Sequence, residues 1–307
     1  MAKEYLSIDV GGTNIKYGLL NAAGKIIEHG ETTTPTEDLD IFLDVVYKII
    51  EKYLGRIRGV AFSVPGKVDV SKGIVYLGGS LPFLDGICLK DVVNKKHPKL
   101  MVSVVNDGKA AAMAEMWLGN LKNIDNGAAI VLGTGVGGGI VVNNRLLQGT
   151  NFQAGELSFM LNDITATGFK GMVGMNCSAV GMIEDIATAL SLANKKDGRK
   201  AFELIKNGNV VAKGIFEEYC RKVALLILNV QTVVDLRRYV LGGGISAQPI
   251  VTREINRQYE LYLSNNSLVD KTLKKPEIVK AKFENEANLY GALYGLLLKV
   301  DEEKIYS

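Results

Sequence analysis

The sequence predicts a mixed α/β protein with two domains. Runs of β-branched residues that end in glycine-rich turns alternate with stretches in which apolar residues recur at helical spacing. A polar link at 119–126 separates two such halves, and 307 residues are enough for two medium-sized domains with a substantial core. We therefore place a smaller N-terminal α/β domain at 1–118 and a larger C-terminal α/β domain at 119–285.

Composition narrows the class of protein. Apolar residues make up 47 % of the chain and charged residues 22 %, a balance typical of soluble globular domains. The formal charge of +3 is too small to indicate a nucleic-acid or membrane partner, and no apolar run reaches membrane-spanning length. The first residues lack the apolar core of a signal peptide, and the widely separated cysteines are typical of reduced thiols. We therefore expect a cytoplasmic protein.

The first glycine-rich turn joins two predicted strands. The strand at 5–10 contains Asp9 near its end, the turn spans 11–14, and a second strand follows at 15–20. A carboxylate at a strand end can bind Mg²⁺, directly or through water, while the turn faces nucleotide phosphates. The alternative is that Asp9 only caps the turn through bonds to nearby N–H groups.

A second candidate position follows a buried strand. The elements predicted before it are a helix at 39–54, a strand at 57–64, a short helix at 89–96 and a strand at 100–105. Asn106 and Asp107 come directly after the last of these and before an alanine-rich helix at 109–117. Open α/β sheets bind ligands at the carboxyl ends of their strands, which makes both side chains candidates for a site. Asp107 can instead be an ordinary helix N-cap.

Two further glycine-rich turns lie in the second half. The turn at 133–139 has β-branched runs on both sides, which predicts a hairpin and not the strand-to-helix turn of dinucleotide-binding folds. Its backbone N–H groups can bind phosphate oxygens, or it can be a tight hairpin without a ligand. The turn at 242–246 follows a predicted strand at 237–241 and opens a helix.

The last predicted helix, at about 286–307, has small residues on one face. Ala287, Gly291 and Gly295 are four residues apart and therefore share that face. Each interior glycine costs about 1 kcal/mol relative to alanine, so we expect close packing against another helix, most simply between the domains. We expect this helix to complete the N-terminal domain.

The three glycine-rich turns and the Asn106-Asp107 pair occur in an order that resembles the ROK family of sugar kinases, within the actin-like ATPase clan. The resemblance covers residues 6–298. It implies a ribonuclease-H-like fold of two α/β domains with the active site in the cleft between them. It also implies transfer of the γ-phosphoryl group of Mg-ATP to a sugar hydroxyl. The family's sugar-responsive repressors carry an N-terminal helix-turn-helix. Because the first predicted strand begins near Tyr5, we expect an enzyme and not a repressor.

The resemblance implies roles for individual residues. Asp107 matches the general base that accepts the proton of the attacking sugar hydroxyl, and Asp9 would lie near Mg²⁺. Substrate contacts are implied for Gly79, Asn106, Asp107, Glu156 and Glu184. ATP contacts are implied for Asp9, Gly11, Gly12, Thr13, Lys16, Thr134, Gly135, Gly137, Gly243 and Gly244.

Two departures from the family pattern bear on the substrate. The family's structural zinc site uses one histidine and three cysteines. Those positions are occupied here by Ser158, Met175, Cys177 and Met182. One thiol cannot supply the four ligands of structural zinc, so we expect no zinc. In addition, 77–80 stands where many members carry an Asn-Leu-Pro segment that helps to grip glucose.

These departures resemble the β-glucoside kinase branch of the family. That resemblance implies phosphorylation of the 6-hydroxyl of a β-glucoside such as cellobiose, with space for a substituent at C1. A glucokinase and an N-acetylhexosamine kinase remain as alternatives, as does a non-catalytic sugar-binding protein. We expect a sugar or β-glucoside partner, no nucleic acid, no membrane, and a homodimer.

Overall fold

The computed structural model describes residues 3–306, except the side chains of 302–306. Residues 1, 2 and 307, which the predicted domain bounds include, lie outside the described residues. The chain divides into two compact units. The first contains the residues up to Lys122, Leu146–Ala154, and the residues from Asn285 onward; the second contains Asn123–Arg145 and Gly155–Glu284. Among helices within 3–306, none has the length and apolar character needed to cross a membrane.

The strands and helices alternate along the chain. The strands are β1 (Glu4–Val10), β2 (Asn14–Asn21), β3 (Ile26–Thr33), β4 (Ile57–Val64), β5 (Lys67–Asp69), β6 (Ile74–Tyr76), β7 (Met101–Asn106), β8 (Gly127–Leu132), β9 (Val136–Val142), β10 (Arg145–Leu146), β11 (Arg238–Gly242) and β12 (Glu277–Lys280). The helices are α1 (Leu39–Tyr53), α2 (Leu89–Lys96), α3 (Asp107–Leu118), α4 (Val173–Asn176), α5 (Ala179–Ala189), α6 (Gly198–Lys206), α7 (Val210–Val234), α8 (Pro249–Ser264), α9 (Ser267–Thr272) and α10 (Ala287–Tyr306).

The sheet of the first unit has the strand order β3-β2-β1-β4-β7. β1, β2 and β3 form the antiparallel meander that the turn pattern predicts, whereas β1, β4 and β7 run parallel. Apolar side chains of these strands, such as Ile8 and Phe62, are fully buried together with Phe42 and Ile50 of α1. The carboxyl ends of the three parallel strands therefore meet at one edge of the sheet.

The sheet of the second unit has the strand order β10-β9-β8-β11-β12. β8 and β9 pair antiparallel, which confirms the predicted hairpin, and β8, β11 and β12 run parallel. The long helix α7 buries Val223, Leu226 and Ile227 in the core of this unit. Because α7 packs within its own unit, its apolar face contributes to folding stability.

The last helix, α10, packs against α3 inside the first unit, so the expectation that its small face lies between domains is wrong. A Cβ atom added to Gly291 would overlap the backbone carbonyl of Ala110, which shows how closely the two helix backbones approach. Trp117 of α3 and Tyr294 of α10 stack with ring centroids 5.4 Å apart. The interior glycines thus permit a helix contact that larger residues would prevent.

The loop Leu146–Ala154 lies with the first unit, whereas the sequence-based division puts it in the C-terminal domain. Its attachment includes hydrogen bonds from the buried Lys109 of α3 to Gln148 and Phe152, which are 39 and 43 positions away. Contacts over such distances leave no local pattern in the sequence. A domain boundary inferred from the polar link at 119–126 therefore does not assign this loop to the first unit.

We expect the substitution Gly291→Ala to destabilise the first unit by about 2 kcal/mol or more, because the new methyl group meets a backbone carbonyl that cannot rotate away. The midpoint of urea unfolding measures the effect. Gly295→Ala is the matched control on the same face: its Cβ would lie 3.2 Å from Val105 Cγ1 and 3.4 Å from Met113 Cε, both on side chains that can adjust. We expect that control to stay within about 1 kcal/mol of wild type. Equal destabilisation by both substitutions would contradict the packing argument.

Candidate active site

Three predicted site positions of the first unit come together at the carboxyl edge of its sheet. Asp9 of β1 pairs with Ser63 of β4, and the next residue of β4, Val64, pairs with Asn106 of β7. Asp107 follows as the first residue of α3. The parallel register therefore brings the carboxylate at the end of β1 to the same edge as the carboxamide and the second carboxylate at the end of β7, with the end of β4 between them.

The Asp9 carboxylate is half-buried and held by two hydrogen bonds. Ser63 Oγ and Asn288 Nδ2 donate to Asp9 Oδ1 at 2.9 and 3.0 Å. Burial raises the pKa of the Asp9 carboxyl above its ordinary value, while these bonds and the charge of Lys16 act in the opposite direction. Since a bound cation would favour the ionised carboxylate, and Oδ2 takes part in neither bond, the environment of Asp9 fits a Mg²⁺ ligand.

Lys16 lies directly opposite Asp9 in the β1–β2 pair. Its Nζ donates to the carbonyl oxygen of Asn285 at 3.5 Å. The lysine therefore adds positive charge beside Asp9, at the turn that joins the two strands.

The turn after Asp9 is closed by backbone bonds and leaves its tip exposed. Gly11 N–H donates to Asn14 O at 3.0 Å, and Thr34 Oγ1 donates to Gly11 O at 2.7 Å. Gly12 and Thr13 are exposed at the tip of this turn. A Cβ on Gly12 would lie 2.7 Å from Ser80 Oγ, which brings the 77–80 loop into contact with this turn.

The 77–80 loop has an unusual backbone. Leu77, Gly78 and Gly79 are all left-handed, with φ of 64°, 43° and 59°. The cost at the non-glycine Leu77 is offset in part because its N–H donates to Asp85 Oδ1 at 2.8 Å. A Cβ on Gly79 would approach Pro65 Cβ at 3.0 Å, so both its φ and its surroundings favour glycine.

Asn106, and not Asp107, is the N-cap of α3, so the alternative reading of Asp107 as the cap is wrong. Asn106 Oδ1 accepts from Lys109 N–H at 3.0 Å, while Nδ2 donates to Gly66 O and to Asp107 Oδ1, both at 2.9 Å. Asp107 Oδ1 also accepts from Gly108 N–H at 2.7 Å. Because both donor hydrogens of the Asn106 amide are engaged within the protein, the geometry favours a positioning role for Asn106. The half-buried Asp107 accepts bonds from Asn106 and from Gly108 N–H through Oδ1.

The glycine turns of the second unit also meet at one sheet edge. Thr134, Gly135 and Gly137 lie in the turn and first residues of the β8–β9 hairpin, and Gly133 O accepts from the first N–H of α5 at 2.9 Å. Gly243 follows β11 with a φ of 90°, and a Cβ there would overlap the carbonyl of Leu132 at the end of β8. Gly244, by contrast, has open space where a side chain would stand.

The two glutamates assigned to the substrate lie in the second unit and are both half-buried. Glu156 follows Gly155, which has a left-handed φ of 85°. Gly155 lies against β9, because a Cβ added to Gly155 would be 3.5 Å from Gly139 Cα. Glu184 lies on α5, whose N-terminus contacts the glycine turn through Gly133. Both carboxylates are therefore carried by segments that contact the β8–β9 hairpin.

The segment at the family's zinc positions is held by polar contacts. Ser158 Oγ donates to Val136 O and accepts from Val136 N–H, both at 3.0 Å. Asn176 Nδ2 donates to Asn162 Oδ1 at 2.9 Å, and Asn162 Nδ2 donates to Cys177 Sγ at 3.6 Å. Cys177 is fully buried, and burial raises the pKa of its thiol to about 12. Among residues 3–306, no group of three or more His, Cys, Asp or Glu side chains could hold a metal ion.

Sequence reasoning missed three side chains that support these positions. Ser63 is a polar residue within an apolar strand, Lys109 is a charged residue within an alanine-rich helix, and Asn288 lies in the first turn of α10. The first two interrupt an apolar pattern and so carried a local signal. Asn288 carried none, since its contact with Asp9 spans 279 positions.

Comparisons with known proteins give a consistent picture. A model of the ROK family matches residues 5–298. A glucokinase of Halalkalibacterium halodurans is 28 % identical over 332 residues, which cover 98 % of this chain and 96 % of that protein. A β-glucoside kinase of Listeria monocytogenes is 26 % identical over 294 residues, which cover 95 % of this chain and 96 % of that protein.

Solved structures share the architecture. A ROK family protein of Streptococcus pneumoniae TIGR4, solved in complex with sucrose, superposes with a TM-score of 0.86 and 26 % identity over 97 % of this chain and 99 % of that one. The α/β fold of the ribonuclease-H-like, actin-like ATPase type that the resemblance implies is thereby confirmed.

The environment of Cys177 predicts its reactivity. At mildly alkaline pH we expect a dithionitrobenzoate reagent to modify the half-buried Cys88 in the folded protein. Burial raises the pKa of all three thiols, but Cys177 and Cys220 are also closed to the reagent, so we expect them to react only after unfolding. The variant Cys88→Ser is the control and should lose the native signal. If a zinc chelator increased the number of thiols that react in the folded protein, a cysteine-bound metal would be indicated and the expectation of a zinc-free protein would be wrong.

Proposed function

Because this chain belongs to the ROK family, we propose that it is an ATP-dependent carbohydrate kinase that transfers the γ-phosphoryl group to a sugar hydroxyl. The observation that carries the proposal is the arrangement at the start of α3, where Asn106 takes the capping role and orients the Asp107 carboxylate. A kinase needs one carboxylate that can accept a proton at a fixed position. A protein that only bound sugar would not require it.

Phosphoryl transfer depends mainly on positioning and on neutralising charge. In the proposed reaction the sugar hydroxyl oxygen attacks the γ-phosphorus, and its proton passes to the Asp107 carboxylate. The bond from the γ-phosphorus to the bridging oxygen breaks, and ADP is the leaving group. Asp107 lies at the N-terminus of α3, where the helix dipole stabilises negative charge. Asn106 Nδ2 holds Oδ1 of that carboxylate at 2.9 Å.

The nucleotide contacts are assigned to the glycine turns and to Asp9. Backbone N–H groups of a glycine turn can donate to phosphate oxygens, and the first turn is already closed by backbone bonds. Asp9 would hold Mg²⁺ directly or through water, and the ion, when bound, neutralises charge on the phosphates. The proposed phosphate contacts are Gly11, Gly12, Thr13, Lys16, Thr134, Gly135 and Gly137, with Gly243 and Gly244 beside the adenosine.

For the substrate we propose a β-glucoside such as cellobiose, phosphorylated at its 6-hydroxyl. Support comes from the similarity to a β-glucoside kinase, from the side-chain-free Gly78-Gly79 pair, and from Ser158 at the position of the family's metal-held histidine. Each of the two changes removes side-chain volume from positions that the family uses for the sugar. We assign Glu156 and Glu184 to sugar hydroxyls, because a hydroxyl can donate a hydrogen bond to a carboxylate oxygen.

A glucokinase is the second candidate, because a relative of that name is 28 % identical, slightly more than the β-glucoside kinase. The proposal also includes a homodimer and a cytoplasmic location. The cysteines are free within the described residues, which suits a reducing compartment. Light scattering coupled to size-exclusion chromatography tests the dimer.

The substitution Asp107→Asn tests the general base. We expect kcat to fall by about 10²- to 10⁴-fold, because an amide cannot accept the proton of the hydroxyl. The fold should persist, since an amide oxygen can still accept the bonds from Asn106 and Gly108.

The matched control is Asp40→Asn, which removes the same charge from the first turn of α1 at an exposed position. We expect that variant to keep wild-type kinetics in a coupled assay of ADP release. Turnover of Asp107→Asn near the wild-type rate at saturating sugar would remove Asp107 from the catalytic role.

A substrate panel tests the specificity. Purified protein with Mg-ATP would be assayed against glucose, cellobiose, an aryl β-glucoside, N-acetylmannosamine, N-acetylglucosamine and fructose. We expect kcat/KM for cellobiose to exceed that for glucose by about tenfold or more, because a pocket with space at C1 gains contacts with the second ring. A clear preference for glucose or for an N-acetylated sugar would overturn the β-glucoside assignment. Activity with none of these sugars would argue against the kinase.

A further inference from the structure

A buried lysine lies two residues beyond the proposed general base. Lys109 is only 2 % exposed and lies in the first turn of α3 among buried alanines. Lysine is almost never buried to this extent unless its ammonium group has partners, since taking the charge out of water is costly. The positive end of the helix dipole makes the position less favourable still. The contacts of the ammonium group must offset both costs.

Two oxygens of one loop receive hydrogen bonds from this ammonium group. Lys109 Nζ donates to Gln148 Oε1 at 3.1 Å and to the backbone carbonyl of Phe152 at 2.8 Å. Bonds from a charged donor are stronger than those between neutral groups. They connect the first turn of α3 to a segment 39 and 43 positions further along the chain.

The loop that receives these bonds is closed on itself. Ala154 N–H donates to Gln148 O at 3.2 Å, and Phe152 N–H donates to Gly149 O at 3.4 Å. Phe152 has a left-handed φ of 58°, which is unfavourable for a residue with a bulky side chain. The bond from Lys109 to the carbonyl of Phe152 stabilises this conformation, in which that carbonyl points to the ammonium group.

We propose that Lys109 is a positioning residue that ties the 148–154 loop to the helix that begins with Asp107, and thereby orders the chain that leads into Glu156. The inference rests on the proposed function for the roles of Asp107 and Glu156. A loop that is already ordered costs less entropy when substrate binds. Loss of the tie therefore weakens sugar binding, and the proton transfer at Asp107 in the bound complex is largely kept.

The experiment compares Lys109→Met with Lys122→Met. Methionine keeps an unbranched side chain of similar length and removes the charge and the donors, and Lys122 is an exposed lysine just beyond α3. The first readout is the rate of chymotrypsin cleavage after Phe152 in the folded protein. We expect Lys109→Met to be cleaved about tenfold faster or more, because the loop opens more often. Lys122→Met should be cleaved at the wild-type rate.

The second readout is kinetic. For Lys109→Met we expect the KM for sugar to rise about tenfold, with the KM for ATP and kcat within about threefold of wild type. Gln148→Leu removes one acceptor and leaves the buried lysine in place, so it should shift cleavage and the sugar KM in the same direction by a smaller factor. If Lys109→Met does not fold, the Gln148→Leu variant provides the test. Lys109→Arg keeps the charge and donors and should recover part of the wild-type sugar KM.

Wild-type cleavage at Phe152 and a wild-type sugar KM in the folded Lys109→Met or Gln148→Leu variant would overturn the proposal. Equal changes in the KM for sugar, the KM for ATP and kcat would also overturn it, because they would indicate general damage to the unit. If the wild-type protein phosphorylates no sugar, the proposed function fails. The cleavage rates then still decide whether Lys109 ties the loop.

Discussion

The parallel register of β1, β4 and β7 is the constraint on which the candidate site depends. It sets Asp9 opposite Ser63 and aligns the end of β4 with Asn106. The amide of Asn106 then caps α3, reaches the carbonyl of Gly66 and orients Asp107. Shifting one strand by a single residue would turn these side chains to the other face of the sheet. Backbone pairing in the core thus determines the positions of the polar groups at the edge.

The second unit shows a different way of holding a site segment. At one of the positions where the family uses a metal, the Ser158 hydroxyl bonds to the backbone of Val136, and nearby Asn176 bonds to Asn162. Several directional bonds of modest strength hold this segment. The thiol that remains at these positions is buried and packs as an apolar side chain beside them.

Much of the fold around the candidate site could be predicted because its signals are local. Turn glycines, β-branched runs and helical spacing are patterns that extend over about ten residues. Patterns on that scale predicted the β8–β9 hairpin and the bounds of α2 as the structure has them. The N-cap of α3 could not be decided locally, since Asn106 and Asp107 are both good caps. Two features could not be predicted, because they depend on contacts between segments that are distant in sequence. These are the place of the 146–154 loop in the first unit and the hydrogen bond from Asn288 of α10 to Asp9. Polar residues in apolar strands or helices, such as Ser63 and Lys109, were the signals available for such contacts.

The chain passes from the first unit to the second and returns to the first at Asn285, and this return affects how the protein folds during translation. Asn288, which holds the carboxylate of Asp9, follows it by 279 residues, and α10 also packs Gly291 against α3. A ribosome therefore releases the N-terminal sheet long before the helix that completes it has been made. Until then the face of α3 that α10 covers is open to solvent or to other nascent chains. The second unit is interrupted by one excursion only, whereas the first unit is assembled from three separate stretches of the chain, so the surroundings of Asp9 are completed only after the second unit has been synthesised.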